Sequence, residues 1–349
     1  MHTYKRIPNR VAIAVFGIAI ALTTPRAFAY GPGIGAAILG GVKVRSAADP
    51  VARSTVLVDT GLGEPCSGTL IAPDTVLTAA HCLTDIESVR HPEIGFGLSK
   101  NGKSTQWREV SSYVNHPDYK KGNGPNDVAL VRFKGTVPKN YSPMKSIAMS
   151  PDNYAKKSDV LIAGYGQENE NAEGDTGEGH LRKTVLKLSR DFQAQNGDLY
   201  GMAAHVAGAC YGDSGGPAFD LKNGEPRLIG VLASTYIACG GTVSVARTDY
   251  NAGFIQLGMK LLREDPKNAA KKLSAWAVIQ AADRHKAYLE RMEGYAHARA
   301  AYEASLAAQA GGMPSQVATE QKEAKNLSAA DSTVPDSPET NPAVAAAKD

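Results

Sequence analysis

The run Ala209–Asp220, ACYGDSGGPAFD, sets Ser214 between an aspartate and two glycines. A serine hydroxyl is a weak nucleophile at neutral pH. Chemistry at Ser214 therefore needs a base, a group that orients the base, and donors for an oxyanion. The glycines suit the last need, because glycine lets backbone N–H groups turn into a cleft in conformations that side chains resist. A plainer reading stands beside this one, since Asp, Ser and Gly are ordinary turn formers. Partners elsewhere in the chain decide between the two.

Outward from this run, the sequence between Val42 and about Leu232 is a series of short β-type stretches broken by Gly, Pro, Asn and Asp. STVLVD, GTLIA, TVLTAA, DVALVRF, DVLIAGYG and RLIGVLAS are examples. Without long helical periodicity, this spacing predicts an all-β sandwich or barrel. After Tyr250, FIQLGMKLL turns helical. Residues 267–310 are rich in Ala, Lys, Glu and Arg, with Leu289, Met292, Tyr295, Tyr302 and Leu306 at mostly three- and four-residue steps. They predict an amphipathic helix or helix pair whose Met and Tyr stripe is a packing face, weakened at Gly294. Residues 311–349 lack periodicity and predict a disordered tail.

The N-terminus reads as an export signal over residues 1–29. Lys5, Arg6 and Arg10 precede the apolar run Val11–Leu22, and AFA at Ala27–Ala29 offers small residues for cleavage. The run is short of the roughly 20 apolar residues that span a bilayer. The expected location is secreted or periplasmic, with no stable membrane insertion after signal removal. A formal charge of +3 over 349 residues, with no dominant basic block, argues against nucleic acid as a partner. The four cysteines, Cys66, Cys82, Cys210 and Cys239, suggest two disulfides in an oxidising compartment, with three connectivities open. No pair has the close spacing of a structural zinc site, and neither metal nor cofactor is expected. GPGIGAA (31–37) lacks the lysine and the strand–helix setting of a phosphate loop.

A base candidate for Ser214 is His81 in LTAAHCL, and an orienting carboxylate is Asp127 in NDVALVRF. Each alone has a dull explanation, a packed histidine or a turn-capping aspartate. Together with GDSGGP, and in this order, TAAHC and NDVALV resemble the three catalytic motifs of the chymotrypsin-like (trypsin-like) serine proteases. The resemblance covers residues 38–262. It implies two antiparallel six-stranded β-barrels with the site between them, His81 and Asp127 on the first and Ser214 on the second. It implies Ser214 as nucleophile, His81 as general base and acid, and Asp127 as the group that holds the imidazole. The N–H groups of Gly212 and Ser214 would form the oxyanion hole, and protein or peptide chains would be the substrates.

The same resemblance implies the bridges Cys66–Cys82 and Cys210–Cys239. AAILGGVKV (36–44) is similar to the family's activated N-terminus: release of Ile38 would free an α-amino group to ion-pair with Asp213. Residues 30–37 would then be a propeptide. Ala37 stands where many relatives carry Arg or Lys, so removal falls to another, activating protease, or to this enzyme if it prefers small residues. At the base of the specificity pocket, where trypsin has Asp, stands Gly208, followed by Ala209. This implies no strong preference for Arg or Lys. Counted without gaps, Ala233, Ser234 and Thr235 occupy the opposite wall; a one-residue shift would move Ser234 to the usual serine. A second class of function is a protease-like binding protein that uses its helical extension for interactions. Such proteins normally lose a triad member, and none is missing here.

Overall fold

The computed structural model describes residues 38–311, apart from 62–64, 85–91, 122–125, 151–157, 169–177, 189–197, 203–206, 222–224 and 237. The expected signal peptide, propeptide and tail lie outside the described residues, save Gly311. The chain divides into two units, residues up to Ala275 and from Trp276 onward.

Among the described residues, thirteen strands build the first unit. β1 (Val42–Lys43), β2 (Thr55–Asp59), β3 (Cys66–Ala72), β4 (Thr75–Thr78), β5 (Glu93–Phe96), β6 (Gln106–Asn115) and β7 (Ala129–Phe133) come first. They are followed by β8 (Asp159–Gly164), β9 (Arg182–Leu188), β10 (Asp198–Met202), β11 (Pro217–Asp220), β12 (Arg227–Tyr236) and β13 (Thr242–Arg247). β2-β3-β4-β7-β6-β5 close into an antiparallel barrel. The second sheet runs β1-β9-β10-β13-β12-β11-β8, and a further β8–β9 pairing joins six of its strands into a ring. The expected second six-stranded barrel is therefore present, with β1 added outside it as a seventh strand. Val42 and Lys43 pair with Lys183 and Arg182, and the Val44 N–H donates to the Leu181 carbonyl at 2.9 Å.

These segments become strands because their β-branched and aliphatic residues fit a pleated surface buried on both sides. Thr55, Val56, Leu57 and Val58 of β2 are all buried, one set facing the barrel interior and the other its coverings. One covering is α1 (Ala252–Glu264), which buries Phe254, Ile255, Leu261 and Leu262. A Cβ on its Gly258 would sit 2.6 Å from Leu130, so glycine lets the helix approach β7 closely. Asp74 ties the helix end down, accepting from Arg132 Nε and from Arg263, each at 2.9 Å.

A buried tyrosine helps join the two sheets. Tyr165, fully buried just after β8, sets its hydroxyl 2.8 Å from the Gly97 carbonyl and 3.1 Å from that of Thr55, both on the first barrel. Burial without such partners would be costly for a hydroxyl.

α2 (Ala269–Gly311) is one helix of 43 residues, not a pair, and it runs through Gly294 without a break. The Cβ that Gly294 lacks would meet nothing, so the cost there is only the roughly 1 kcal/mol of glycine's propensity. Its first turns, with Ala269 and Leu273, are buried in the first unit. Beyond Trp276 the expected packing stripe is exposed: Leu289, Met292, Tyr295, Tyr302 and Leu306 all face solvent. Among the described residues, no helix is long and apolar enough to cross a membrane.

Candidate active site

His81 begins a single 3-10 turn that follows β4, and Asp127 stands just before β7, the strand paired with β4. That pairing brings the two residues together across 46 positions of sequence. Asp127 Oδ2 lies 2.7 Å from His81 Nδ1, and Oδ1 accepts the His81 backbone N–H at 2.9 Å. Asn126, at φ +63°, makes the bend that aims the carboxylate back at β4. Asp127 is buried while His81 is partly open, so the carboxylate is shielded and the far side of the ring remains reachable.

Ser214 opens on the same cleft. A cavity of about 440 Å³ is lined by His81, Asp127, Ser214, Ala209, Ser234 and Thr235, among others. The loop carrying Ser214 is held from both barrels. Ser67 of β3 donates its N–H to the Ser214 carbonyl at 2.8 Å and its hydroxyl to the Gly212 carbonyl at 2.9 Å. The same hydroxyl accepts the Tyr165 N–H at 2.9 Å. The Gly215 N–H donates to the Leu232 carbonyl at 2.7 Å, tying the loop to β12.

Two glycines here have positive φ. Gly212 lies at +92° and Gly215 at +82°; a Cβ on Gly215 would fall 2.2 Å from the Ser67 carbonyl oxygen. Neither position tolerates a side chain. The resulting path leaves particular donors over. Asp213, Gly215 and Gly216 donate their N–H groups to backbone carbonyls, whereas among the described residues those of Gly212 and Ser214 do not. Two N–H groups left over beside a nucleophile candidate can receive a developing oxyanion.

Asp213 points away from the cleft and is fully buried. Its two oxygens accept the Gly166 and Cys210 N–H groups, each at 2.9 Å. Burial pushes its carboxyl up to about 7, and those two bonds and the Arg182 charge pull the other way. Ile38 is fully buried too, at φ +26°, and Leu39 pairs with Gly208.

Both disulfides, Cys66–Cys82 and Cys210–Cys239, are formed. Cys82 Sγ lies 3.8 Å from His81 Nε2, so the first bridge backs the imidazole. Cys66, His81 and Cys82 offer ligand atoms within 4.8 Å of one another, but two of the three are bonded sulfurs with no thiolate to give a metal. Ala209, Ser234 and Thr235 line the cleft. Gly208, just before Ala209, packs against Gly240 and pairs with Leu39; a Cβ there would come within 2.7 Å of the Gly240 Cα. Val243, opposite Thr235 on β13, lines the cleft as well. Ser67, Val243 and Arg182 were not singled out in the sequence. Ser67 adjoins Cys66 in PCSGTLIA and gave a faint signal; the other two gave none.

The trypsin family model matches residues 38–251.

The chain belongs to the trypsin family of serine endopeptidases.

Within the trypsin family it is similar to trypsin epsilon of Drosophila erecta, 28% identical over 246 residues that cover 66% of this chain and 88% of that protein. It is similar also to chymotrypsin-like elastase family member 1 of Rattus norvegicus, 27% identical over 58% of this chain and 80% of that protein. The fold matches that of human heparin binding protein with a TM-score of 0.52 at 19% identity, over 62% of this chain and 95% of that one. The residues matched by the family model stop just before α1, and α2 lies beyond them.

Proposed function

We propose that this chain is an exported serine endopeptidase that works through His81, Asp127 and Ser214. The observation that carries the reading is the double contact of Asp127 with His81 at the edge of the cleft onto which Ser214 opens. Asp127 fixes the tautomer that leaves Nε2 free to take the Ser214 proton. Oγ then attacks the scissile carbonyl, and the Gly212 and Ser214 N–H groups receive the oxyanion. The imidazolium returns its proton to the leaving amine, giving an acyl-enzyme that water hydrolyses by the same route.

Release of Ile38 is the activating step in this reading. Isoleucine is β-branched and avoids positive φ while it carries a preceding carbonyl. Cutting the 37–38 bond removes the carbonyl that makes φ +26° unfavourable. The freed α-amino group would supply a charge to Asp213. The leader over residues 1–29 and the two disulfides support export.

Ala209, Ser234 and Thr235 line the cleft without charge, and in this reading Thr235 narrows its mouth, which favours small uncharged side chains at the cleaved residue. A peptide-library digest by protein whose N-terminus has been sequenced tests the reading. Cleavage should follow Ala, Val or Thr and be much faster once Ile38 is the N-terminus. Cleavage after Arg or Lys would refute the pocket assignment, and full activity with Tyr30 retained would refute the activation step.

A further inference from the structure

Asp213 is fully buried and joins the loop that carries Gly212 and Ser214, so its charge state bears on the shape of the site. While the 37–38 bond is intact, Ile38 offers it no charge. A cation stands on the neighbouring strand, β9. In the β8–β9 ladder, Arg182 stands directly opposite Gly164. A Cβ on Gly164 would lie 2.3 Å from Asp213 Oδ1, so that face of β8 looks onto the carboxylate. Directly opposed residues in an antiparallel pair project on the same face. Arg182 therefore projects to the side where Asp213 lies, and it too is buried, at 6% exposure.

We propose that Arg182 is a positioning residue: its guanidinium is the internal counter-charge of Asp213, and it holds the oxyanion loop in shape before Ile38 is released. This rests on the serine endopeptidase reading above and adds a regulatory consequence, namely activity in the uncut chain. An isolated buried carboxylate is too costly to keep ionised, and if it takes up a proton its hold on the Gly166 and Cys210 N–H groups weakens. The Arg182 charge acts on Asp213 in the direction that favours its ionised form.

The groups around Asp213 can be named element by element. Gly164 and Gly166, at and just after the end of β8, bring no charge, and Cys210 is bridged to Cys239. β9 brings Arg182, and Glu168 forms an ion pair with Arg182. Lys43, opposite Arg182 on β1, is exposed. Glu168 thus competes with Asp213 for one guanidinium, and it is only part-buried, which makes it replaceable.

The test measures the rate at which a fluorophosphonate labels Ser214 against pH, on exported protein whose sequenced N-terminus still precedes Ile38. Wild type should label. R182M should label at least tenfold more slowly, with its acid limb displaced to higher pH, and R182K should recover most of both. E168Q, which does not depend on R182M folding, should move the acid limb to lower pH. An unmoved acid limb in R182M and E168Q would overturn the proposal, as would an R182K variant no better than R182M. If wild type and S214A are equally unlabelled both before and after release of Ile38, the endopeptidase reading itself falls, and this proposal with it.

Discussion

Asp127 holds His81 at two points, its Oδ2 lying 2.7 Å from the ring Nδ1 and its Oδ1 accepting the backbone N–H at 2.9 Å. A single contact would let the ring swing about its χ angles. Two contacts to one carboxylate fix both the ring's direction and the turn it grows from. Asp127→Asn keeps the shape but puts a donor where an acceptor is needed, which favours the wrong tautomer. Its kcat should fall by about 10⁴-fold with KM little changed. A loss below tenfold in steady-state kinetics would contradict the orienting role.

Gly215 has the least room of the three glycines in the nucleophile loop. At φ +82°, with a Cβ position 2.1 Å from Thr78 Oγ1 and 2.2 Å from the Ser67 carbonyl oxygen, Gly215→Ala must shift the backbone beside Ser214. A destabilisation of about 1–3 kcal/mol is expected from strain of this kind, with a larger proportional loss of turnover. Denaturant unfolding and kcat measured on one preparation check both; wild-type values for both would show that the loop is not constrained as described.

Asp213 links stability to pH. Burial raises its carboxyl from the ordinary range near 4 to about 7, so the folded uncut chain binds this proton more tightly than the unfolded chain does. The stabilising contribution is therefore full below about pH 4 and is lost as pH rises through about 7, a change on the order of a few kcal/mol. Asp213→Asn cannot titrate. In a Ser214→Ala background that prevents self-cleavage, the Tm of the Asn variant minus that of its parent should rise steadily from pH 4 to pH 8. A flat or falling difference would mean that Asp213 is ionised throughout.

Thr235 and Val243 face each other across β12 and β13 and both line the cleft. Replacing both with glycine removes side-chain volume from this wall. Discrimination by apolar volume is worth about 1–3 kcal/mol per step. The ratio of kcat/KM for Phe over Ala at the cleaved residue should therefore rise at least tenfold. An unchanged ratio would place the limiting wall elsewhere.

The fold and the chemistry were legible in the sequence to different depths. His81, Asp127 and Ser214 each sit in a local motif, and the strands around them alternate or run apolar in the way that buried β structure does. Such signals are carried by neighbouring residues and need no partner to be read. What escaped is long-range. That Arg182 projects to the Asp213 side of the sheet depends on which residue of β8 faces which of β9, and Ser67 has its role only because β3 passes under the loop at 212–214. Gly208 was expected at the pocket base because of its distance from Ser214. Its backbone packs against Gly240 and pairs with Leu39, neighbours that spacing alone does not reveal, and Ala209 beside it lines the cleft. β1 was missed because two residues are too few for periodicity to register. The stripe on α2 was correctly read as helical, but spacing alone says nothing about what covers a helix face, and here that face is exposed.

The central claim is that an imidazole oriented by Asp127 draws the proton from one hydroxyl, that of Ser214. It is tested most directly by intact-mass and peptide mapping of processed protein after reaction with a fluorophosphonate. One adduct per chain should form, on the peptide containing Ser214, and its formation should collapse in His81→Ala. An adduct on another residue, or peptide hydrolysis that persists in Ser214→Ala, would contradict it.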